Sequence, residues 1–195
     1  ASITSTRAVA NSMIPGNKLG ILLLSRFYLG KHTFDQHTIE TTYTGTNMRR
    51  VLHVGPCNTP GGMAKVIEIL SKNPPEGWTA ETWQSHKVGN PIVKYLHHKK
   101  MLKRFRSLIS TDNKPDVVHI HTAADWSWKR KAQYVKLCNN HSIPCIVHIH
   151  SGKLGQWLGS KNSKNAINFR ATTNFGHCKI VVLTEGWQNS LSNVI

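Results

Sequence analysis

The stretch that decides the fold is residues 48–70, MRRVLHVGPCNTPGGMAKVIEIL. It opens with an apolar run over 51–54 that Gly55 and Pro56 end, and such a run indicates a strand buried on both faces. After a turn-rich loop, apolar residues recur at the spacing of an amphipathic helix (Met63, Val66, Ile67 and Leu70). Strand, loop and helix form the first unit of a doubly wound parallel sheet, which binds ligands at the carboxyl ends of its strands.

The loop of this unit ends in Pro60, Gly61 and Gly62, directly before the helix. Glycine has no Cβ, so a ligand can reach the backbone, and free N–H groups at a helix start favour an anion by roughly 0.3–1 kcal/mol. The spacing fits neither the G-x-G-x-x-G fingerprint nor the P-loop. Two interpretations stay open, a tight turn and an anion-binding loop.

The rest of the chain alternates strands with helices, which predicts an α/β fold with a Rossmann-like parallel sheet and helices on both faces. Residues 1–47 are predicted to be an appendage of uncertain order, and 48–195 to be the domain. A polar loop is predicted from Gly152 towards Asn168. The further predicted strands are 78–84, 117–122, 145–152 and 178–183, and the further predicted helices are 92–109, 123–140 and 187–191.

Composition narrows the class of partner. The chain has 195 residues, a formal net charge of +16 and four cysteines that form no C-x-x-C pair. The charge indicates an anionic partner, which is nucleic acid, an acidic membrane surface or a phosphorylated substrate. The cysteines indicate reduced thiols. No apolar run approaches the roughly 20 residues of a membrane-spanning helix.

The predicted helix at 92–109 carries much of the charge. One interpretation is a surface helix whose apolar side, with Tyr95, Leu102, Phe105 and Ile109, packs on the sheet. Another is a basic amphipathic helix that faces anionic lipid headgroups. Nucleic acid is a third and weaker alternative, because no recognisable nucleic-acid-binding module accompanies the charge. The basic residues assigned to the membrane-facing surface are Lys99, Lys100, Lys103, Arg104 and Arg106.

Histidines recur on three of the predicted strands. His53, His119 and His148 are predicted at matching depth, as core histidines bonded to each other or to water, with a zinc site as the alternative. His121 and His150 follow by two residues, so they lie on the same face and are predicted at the lip of the ligand crevice. Beside them, Cys57 is interpreted as a passive loop residue rather than a nucleophile.

Taken in order, the runs MRRVLHVGP, TPGGMAKVIEIL, KPDVVHIHT, PCIVHIHSG and CKIVVLTEGW resemble the amino-terminal domain of a family-4 glycosyltransferase of GT-B fold. The resemblance covers residues from 48 to the end. It implies that a sugar moves from a nucleotide-sugar, without a metal or other cofactor and with retained anomeric configuration, to a lipid-linked or glycan acceptor.

The resemblance also assigns site residues. Pro60, Gly61 and Gly62 would bind the donor diphosphate. His150 would contact the donor sugar and His121 would line the same cleft, and these two are the residues assigned to catalysis. The acceptor cleft would include Thr122, Ser151 and Gly152.

The family's second Rossmann-like domain has no counterpart in the matched residues. We therefore expect that transfer needs a carboxyl-terminal GT-B domain, in cis or in trans, and that this half alone is inactive or turns over poorly. The expected location is cytoplasmic, peripheral at the inner membrane face. The alternative function is a non-catalytic module of a split glycosyltransferase that binds an anion or a membrane. Nucleic acid is not an expected partner.

Overall fold

A computed structural model describes the backbone of residues 2–5 and all of residues 48–195. The strands form one sheet in the order β1-β6-β5-β4-β2-β3, and every neighbouring pair is parallel. This confirms the predicted α/β, Rossmann-like fold. The strands are β1 (Ser2–Ser5), β2 (Arg49–Gly55), β3 (Trp78–Gln84), β4 (Val117–Thr122), β5 (Cys145–Ile149) and β6 (Cys178–Val182).

Helices follow the strands as crossover connections. They are α1 (Gly62–Lys72), α2 (Pro91–Ile109), α3 (Trp126–Asn140), α4 (Leu154–Leu158), α5 (Lys164–Thr173) and α6 (Glu185–Ser192). The prediction of a polar loop from Gly152 towards Asn168 was wrong, because α4 and the start of α5 lie there. Two local causes explain these helices. Leu154 and Leu158 are buried, and the side chain of Ser163 caps α5 by accepting a hydrogen bond from the backbone of Ala166.

The two faces of the sheet are packed differently. On one face, alternate residues of the central strands join the large core beneath α2, α3 and α5, in which Phe105, Tyr134 and Phe169 are fully buried. On the other face a smaller apolar cluster, with Leu70 of α1, covers the amino-terminal half of the strands. Histidines replace apolar residues on this second face towards the carboxyl edge, so the face is polar where ligands bind in such sheets.

One strand comes from the segment that was predicted as an appendage. Residues Ser2–Ser5 add the edge strand β1 to β6, with Ser2 opposite Lys179. The remainder of 1–47 lies outside the described residues. Within the part of the chain that the structure describes, no helix is long and apolar enough to cross a bilayer.

Candidate functional site

The glycine loop between β2 and α1 has an open backbone. Gly61 caps α1 with φ of 133°, a conformation that side-chain-bearing residues rarely adopt. A Cβ placed on Gly61 or Gly62 would meet nothing within 4 Å. The first turn of a helix has N–H groups without intrahelical partners, and no side chain caps them here. The predicted turn therefore also presents accessible backbone N–H donors, which can bind an anion.

A groove of about 490 Å³ runs along this loop. Cys57, Pro60 and Gly61 line it from the loop side, and Ala64 and Glu68 line it from α1. Burial raises the pKa of the Cys57 thiol. A protonated thiol is a poor nucleophile, so the groove is better suited to binding than to covalent chemistry at Cys57.

The register of the strands corrects the predicted histidine layer. His53 lies opposite His119, as predicted, but His148 lies opposite His121, one step nearer the carboxyl edge. The sequence defines spacing along each strand but not the stagger between strands, and β4 and β5 are offset by two residues from the expected alignment. The five histidines therefore form a staggered cluster rather than one layer with two residues above it.

Three histidines form a hydrogen-bonded chain that ends at the crevice. His53 Nδ1 lies 3.1 Å from His121 Nε2, and His121 Nδ1 lies 3.0 Å from His150 Nε2. His53 Nε2 is buried and has no partner. An unpaired buried lone pair costs less than an unpaired buried N–H, so hydrogen-bond accounting places the His53 proton on Nδ1. The proton of His150 then falls on Nδ1, which makes no hydrogen bond to residues 48–195 and is available as a donor.

The cluster is electrically neutral at neutral pH. Burial lowers the pKa of His53 and of His150 to about 4. Burial, followed by repulsion from neighbouring histidines, lowers the pKa values of His119, His121 and His148 well below the ordinary value. His119 and His148 pair with each other through a nitrogen–nitrogen distance of 3.3 Å. The prediction of core histidines bonded to each other is therefore confirmed for this pair.

The expected site residues occupy different depths. His150 is half-buried at the carboxyl end of β5, as predicted for the lip of the crevice, but His121 is fully buried beneath it. The placement of His121 at the lip was wrong, because residues on β2 and β5 enclose it; a Cβ on Gly55 would lie 3.4 Å from the His121 Cβ. His121 can reach a ligand only through His150.

The residues predicted to line the acceptor cleft also differ in their accessibility to a ligand. Thr122 is fully buried, and its hydroxyl donates to the Ala123 carbonyl, so its assignment to the cleft surface was wrong. Its side chain alternates to the opposite face of the sheet from His121. Gly152 is exposed, although Trp187 of α6 lies 2.7 Å from the position that its Cβ would take. Ser151 is half-buried and accepts a hydrogen bond from the backbone of Lys153.

Helix α2 is exposed on more than its basic side. All five basic residues predicted to face a membrane are exposed. Tyr95 was predicted on the buried side but is 59% exposed, because the buried face begins only at His98. Ile92 and Leu96 are 68% and 60% exposed, and Val88 lies exposed in the preceding loop. The first turns of α2 therefore present apolar side chains directly beside the cations.

The histidine cluster has the composition of a metal site. Two sets, His53 with His119 and His121, and His121 with His148 and His150, each bring one nitrogen per residue within 4.8 Å of the others. Neutral imidazole is a zinc ligand. In the structure, however, these histidines use ring nitrogens in hydrogen bonds to one another. Their arrangement therefore fits a hydrogen-bonded cluster at least as well as a metal centre.

Lys131 was missed by the sequence reasoning. It is buried in α3, and its pKa is lowered to about 7, first by burial and then by the charge of Arg130. The available signal was its helical spacing from Trp128, Tyr134 and Val135, which are all buried.

Compared with known proteins, the chain matches no protein-family model and no curated protein sequence. The resemblance to family-4 glycosyltransferases therefore stays a prediction that rests on the quoted motifs.

Proposed function

We propose that this domain is the acceptor-side half of a GT-B glycosyltransferase that moves a sugar from a nucleotide-sugar to a lipid-linked or glycan acceptor. The supporting observation is that the open Gly61–Gly62 backbone, after β2, and the half-buried His150, after β5, both lie at the carboxyl edge of one parallel sheet. Ligands bind at this edge in doubly wound sheets. The sugar phosphate of a donor needs both an anion site and a nearby hydrogen-bond donor.

In the proposed reaction, the bond between the sugar C1 and the diphosphate oxygen breaks, and a bond forms between C1 and an acceptor oxygen. The acceptor hydroxyl passes its proton to the diphosphate oxygen as the nucleoside diphosphate leaves. The N–H groups at the start of α1 bind the diphosphate and stabilise its growing charge. His150 Nδ1 donates to an oxygen of the donor sugar, and His121 and His53 hold the ring in that orientation.

The chemistry, as proposed, uses no metal, and it needs a carboxyl-terminal GT-B domain in cis or in trans. That second domain supplies the remaining donor contacts. Without them, transition-state stabilisation is incomplete, because differential binding needs both walls of the cleft. The proposed location is the inner face of a membrane, where the exposed apolar and basic residues of α2 contact anionic lipid.

The anion site is tested with inorganic pyrophosphate as the probe, by isothermal titration calorimetry. Gly62 has an ordinary φ and open space around its Cβ position, so Gly62→Leu fills the site without backbone strain. Gly176 also has open space and serves as the matched control, Gly176→Leu. We expect Gly62→Leu to abolish pyrophosphate binding at the glycine loop and Gly176→Leu to leave it unchanged. Equal affinities in both variants would contradict the proposal.

Transfer itself is tested by supplying a carboxyl-terminal GT-B domain and a panel of nucleotide-sugars. We expect donor hydrolysis or transfer that His150→Ala reduces by about two orders of magnitude, since it removes an interaction with the reacting sugar. Absence of turnover with every donor and pairing would count against the enzyme.

A second candidate function, a non-catalytic membrane-binding module, is favoured by the exposed apolar side chains of α2. Co-sedimentation with phosphatidylglycerol vesicles tests it. We expect Ile92→Ser with Leu96→Ser to weaken vesicle binding and high salt to weaken it further. Vesicle binding without any sugar transfer would select this function over the enzyme.

A further inference from the structure

The buried face of α3 carries a charged side chain. Lys131 is 2% exposed and is surrounded by apolar neighbours on that face. Taking an ammonium group out of water costs several kcal/mol unless an opposite charge compensates it. Among residues 48–195, no hydrogen bond or ion pair joins Lys131 to a carboxylate. The titratable groups that act on its pKa are Arg130, whose charge lowers it, and the Cys57 thiol, which raises it.

The groups around Lys131 are basic or are hydrogen-bond donors. Arg130 has a buried Nε without a partner. Ser85 is 1% exposed, and its hydroxyl also has no partner. Burial lowers the pKa values of His86 and His98, and the charges of Arg130 and Lys131 lower both further. The His98 ring also packs against Tyr134, one turn after Lys131 in α3, with 6.0 Å between the ring centroids. The cluster has donors and positive charge, and it contains no acid.

These residues converge at the carboxyl edge of the sheet. Ser85 directly follows β3, and Cys57 follows β2. Lys131 lies in the second turn of α3, which follows β4. The cluster is on the face that packs against α2 and α3, opposite the histidines. Cys57 also lines the groove along the glycine loop, so the cluster adjoins that groove.

We propose that the Lys131 pocket, formed by Ser85, His86, His98, Arg130 and Lys131, binds a phosphate group. Phosphate offers several acceptor oxygens and negative charge, which match an arginine, a lysine and a hydroxyl donor. It supplies the counter-charge that the buried cations lack. Resting on the proposed function, we assign this phosphate to the acceptor, because the donor diphosphate is assigned to the glycine loop.

The proposal is tested by titrating the chain with inorganic phosphate, without any sugar donor, so its outcome does not depend on the proposed function. Lys131→Met keeps the length of the side chain and removes the charge, and the variant is expected to fold because it buries no ion. Lys136→Met, at an exposed position of the same helix, is the control. We expect the first variant to bind phosphate at least tenfold more weakly than the wild type, and the control to bind equally.

A second readout excludes a merely structural effect. The pKa of Lys131 is lowered to about 7, so a bound anion raises it and the protein takes up a proton. Calorimetry at pH 7 to 8 in buffers of different ionisation enthalpy measures this uptake. We expect uptake in the wild type and in Lys136→Met, and none in Lys131→Met. Unchanged phosphate affinity in Lys131→Met, or a wild type that binds no phosphate at millimolar concentration, would overturn the proposal.

Vesicles distinguish the two sources of the phosphate. The wild type and Lys131→Met are compared on vesicles that contain phosphatidic acid and on vesicles that contain phosphatidylglycerol at the same charge. If Lys131→Met binds phosphatidic acid vesicles more weakly than the wild type but phosphatidylglycerol vesicles equally well, the ligand is a lipid headgroup. Unchanged vesicle binding with lost inorganic phosphate binding identifies a water-soluble phosphate. Gly62→Leu, which fills the diphosphate site, is expected to leave inorganic phosphate binding at the Lys131 pocket intact.

Discussion

Two buried clusters of titratable groups lie at the same edge of the sheet, on opposite faces. The histidine cluster beneath α1 is largely satisfied internally: its members are neutral and bond to one another, with nitrogen–nitrogen distances of 3.0 to 3.3 Å, although Nε2 of His53 and of His148 has no partner among residues 48–195. The Lys131 pocket beneath α2 and α3 is incomplete: its Ser85 hydroxyl and the Arg130 Nε have no hydrogen-bond partners among residues 48–195, and no ion pair joins Lys131 to a carboxylate there.

The two clusters differ in how the cost of burying their polar groups is compensated. A neutral imidazole can both donate and accept, so the histidines satisfy most of one another's ring nitrogens without a ligand, and none of them carries an uncompensated charge. Lysine and arginine only donate and carry positive charge, so a cluster without an acid cannot compensate their charge. We therefore interpret the first cluster as a scaffold that orients His150, and the second as a site whose compensation comes from outside the domain.

The largest predicted effect is acid destabilisation through the histidine cluster. Burial lowers the pKa of His53 from 6.5 to about 4. Between these values the unfolded chain binds the proton and the folded chain does not, so stability is lost as the pH falls from 6.5 towards 4. His53 alone contributes about 3 kcal/mol of loss, and the other four histidines act in the same direction. Urea denaturation at pH 7, 6, 5 and 4.5 measures it, and a flat profile would contradict the neutral cluster.

The next effect is the removal of the central histidine. His121→Ala leaves His53 Nδ1 and His150 Nε2 without their bonds and creates a cavity, so we expect a loss of about 3–5 kcal/mol in the free energy of unfolding. His141→Ala, near the exposed end of α3, is the control, with an expected change within about 0.5 kcal/mol. Equal losses in the two variants would show that the cluster does not stabilise the fold.

The overall fold was predictable because the strands are short apolar runs that glycine, proline or polar turns bound. The helix predicted over 92–109 is α2, which begins one residue earlier, and Asn90 caps it by accepting a hydrogen bond from the backbone of Val93. Helix α4 was missed because five residues are too few to show helical periodicity. Nothing in a single sequence reports the stagger of β4 against β5, so the predicted histidine layer was misaligned.

The site was predictable only where it depends on local sequence. The glycine turn and the position of His150 at the end of β5 follow from the order of strand, loop and helix. Lys131 was only partly predictable, because its helical spacing places it on the buried face of α3 although lysine on a helix is ordinarily solvated. A lysine on a buried face can extend its ammonium to the surface or keep it inside, and the packing of α2 over α3 decides which of the two happens.

A smaller effect of opposite sign is predicted for the Lys131 pocket. Lys131→Met removes an uncompensated buried ammonium, so we expect the variant to be about 1–2 kcal/mol more stable than the wild type at pH 7 or below. The folded-state pKa is lowered from 10.5 to about 7, so the unfolded chain binds more protons between these values and wild-type stability rises with pH there.

The advantage of Lys131→Met should therefore shrink from pH 7 to pH 9, as measured by urea denaturation of both proteins. Lys136→Met should show no such pH dependence. A Lys131→Met variant that is less stable than the wild type at every pH would mean that Lys131 has an internal partner, and the contrast between the two clusters would fail.

The smallest predicted effect is the difference in stability between losing an unpaired buried hydroxyl and losing a paired one. Ser85→Ala removes a buried hydroxyl that bonds to nothing in residues 48–195, so we expect stability within about 0.5 kcal/mol of the wild type, or a slight gain. Thr122→Val is the matched control, because its buried hydroxyl donates to the Ala123 carbonyl, and we expect it to cost about 1 kcal/mol. Phosphate affinity should change in the opposite pattern, falling several-fold in Ser85→Ala and not in Thr122→Val. A side chain that contributes to binding but not to folding is what an incomplete site requires, whereas a loss of stability in Ser85→Ala would assign that hydroxyl to the core.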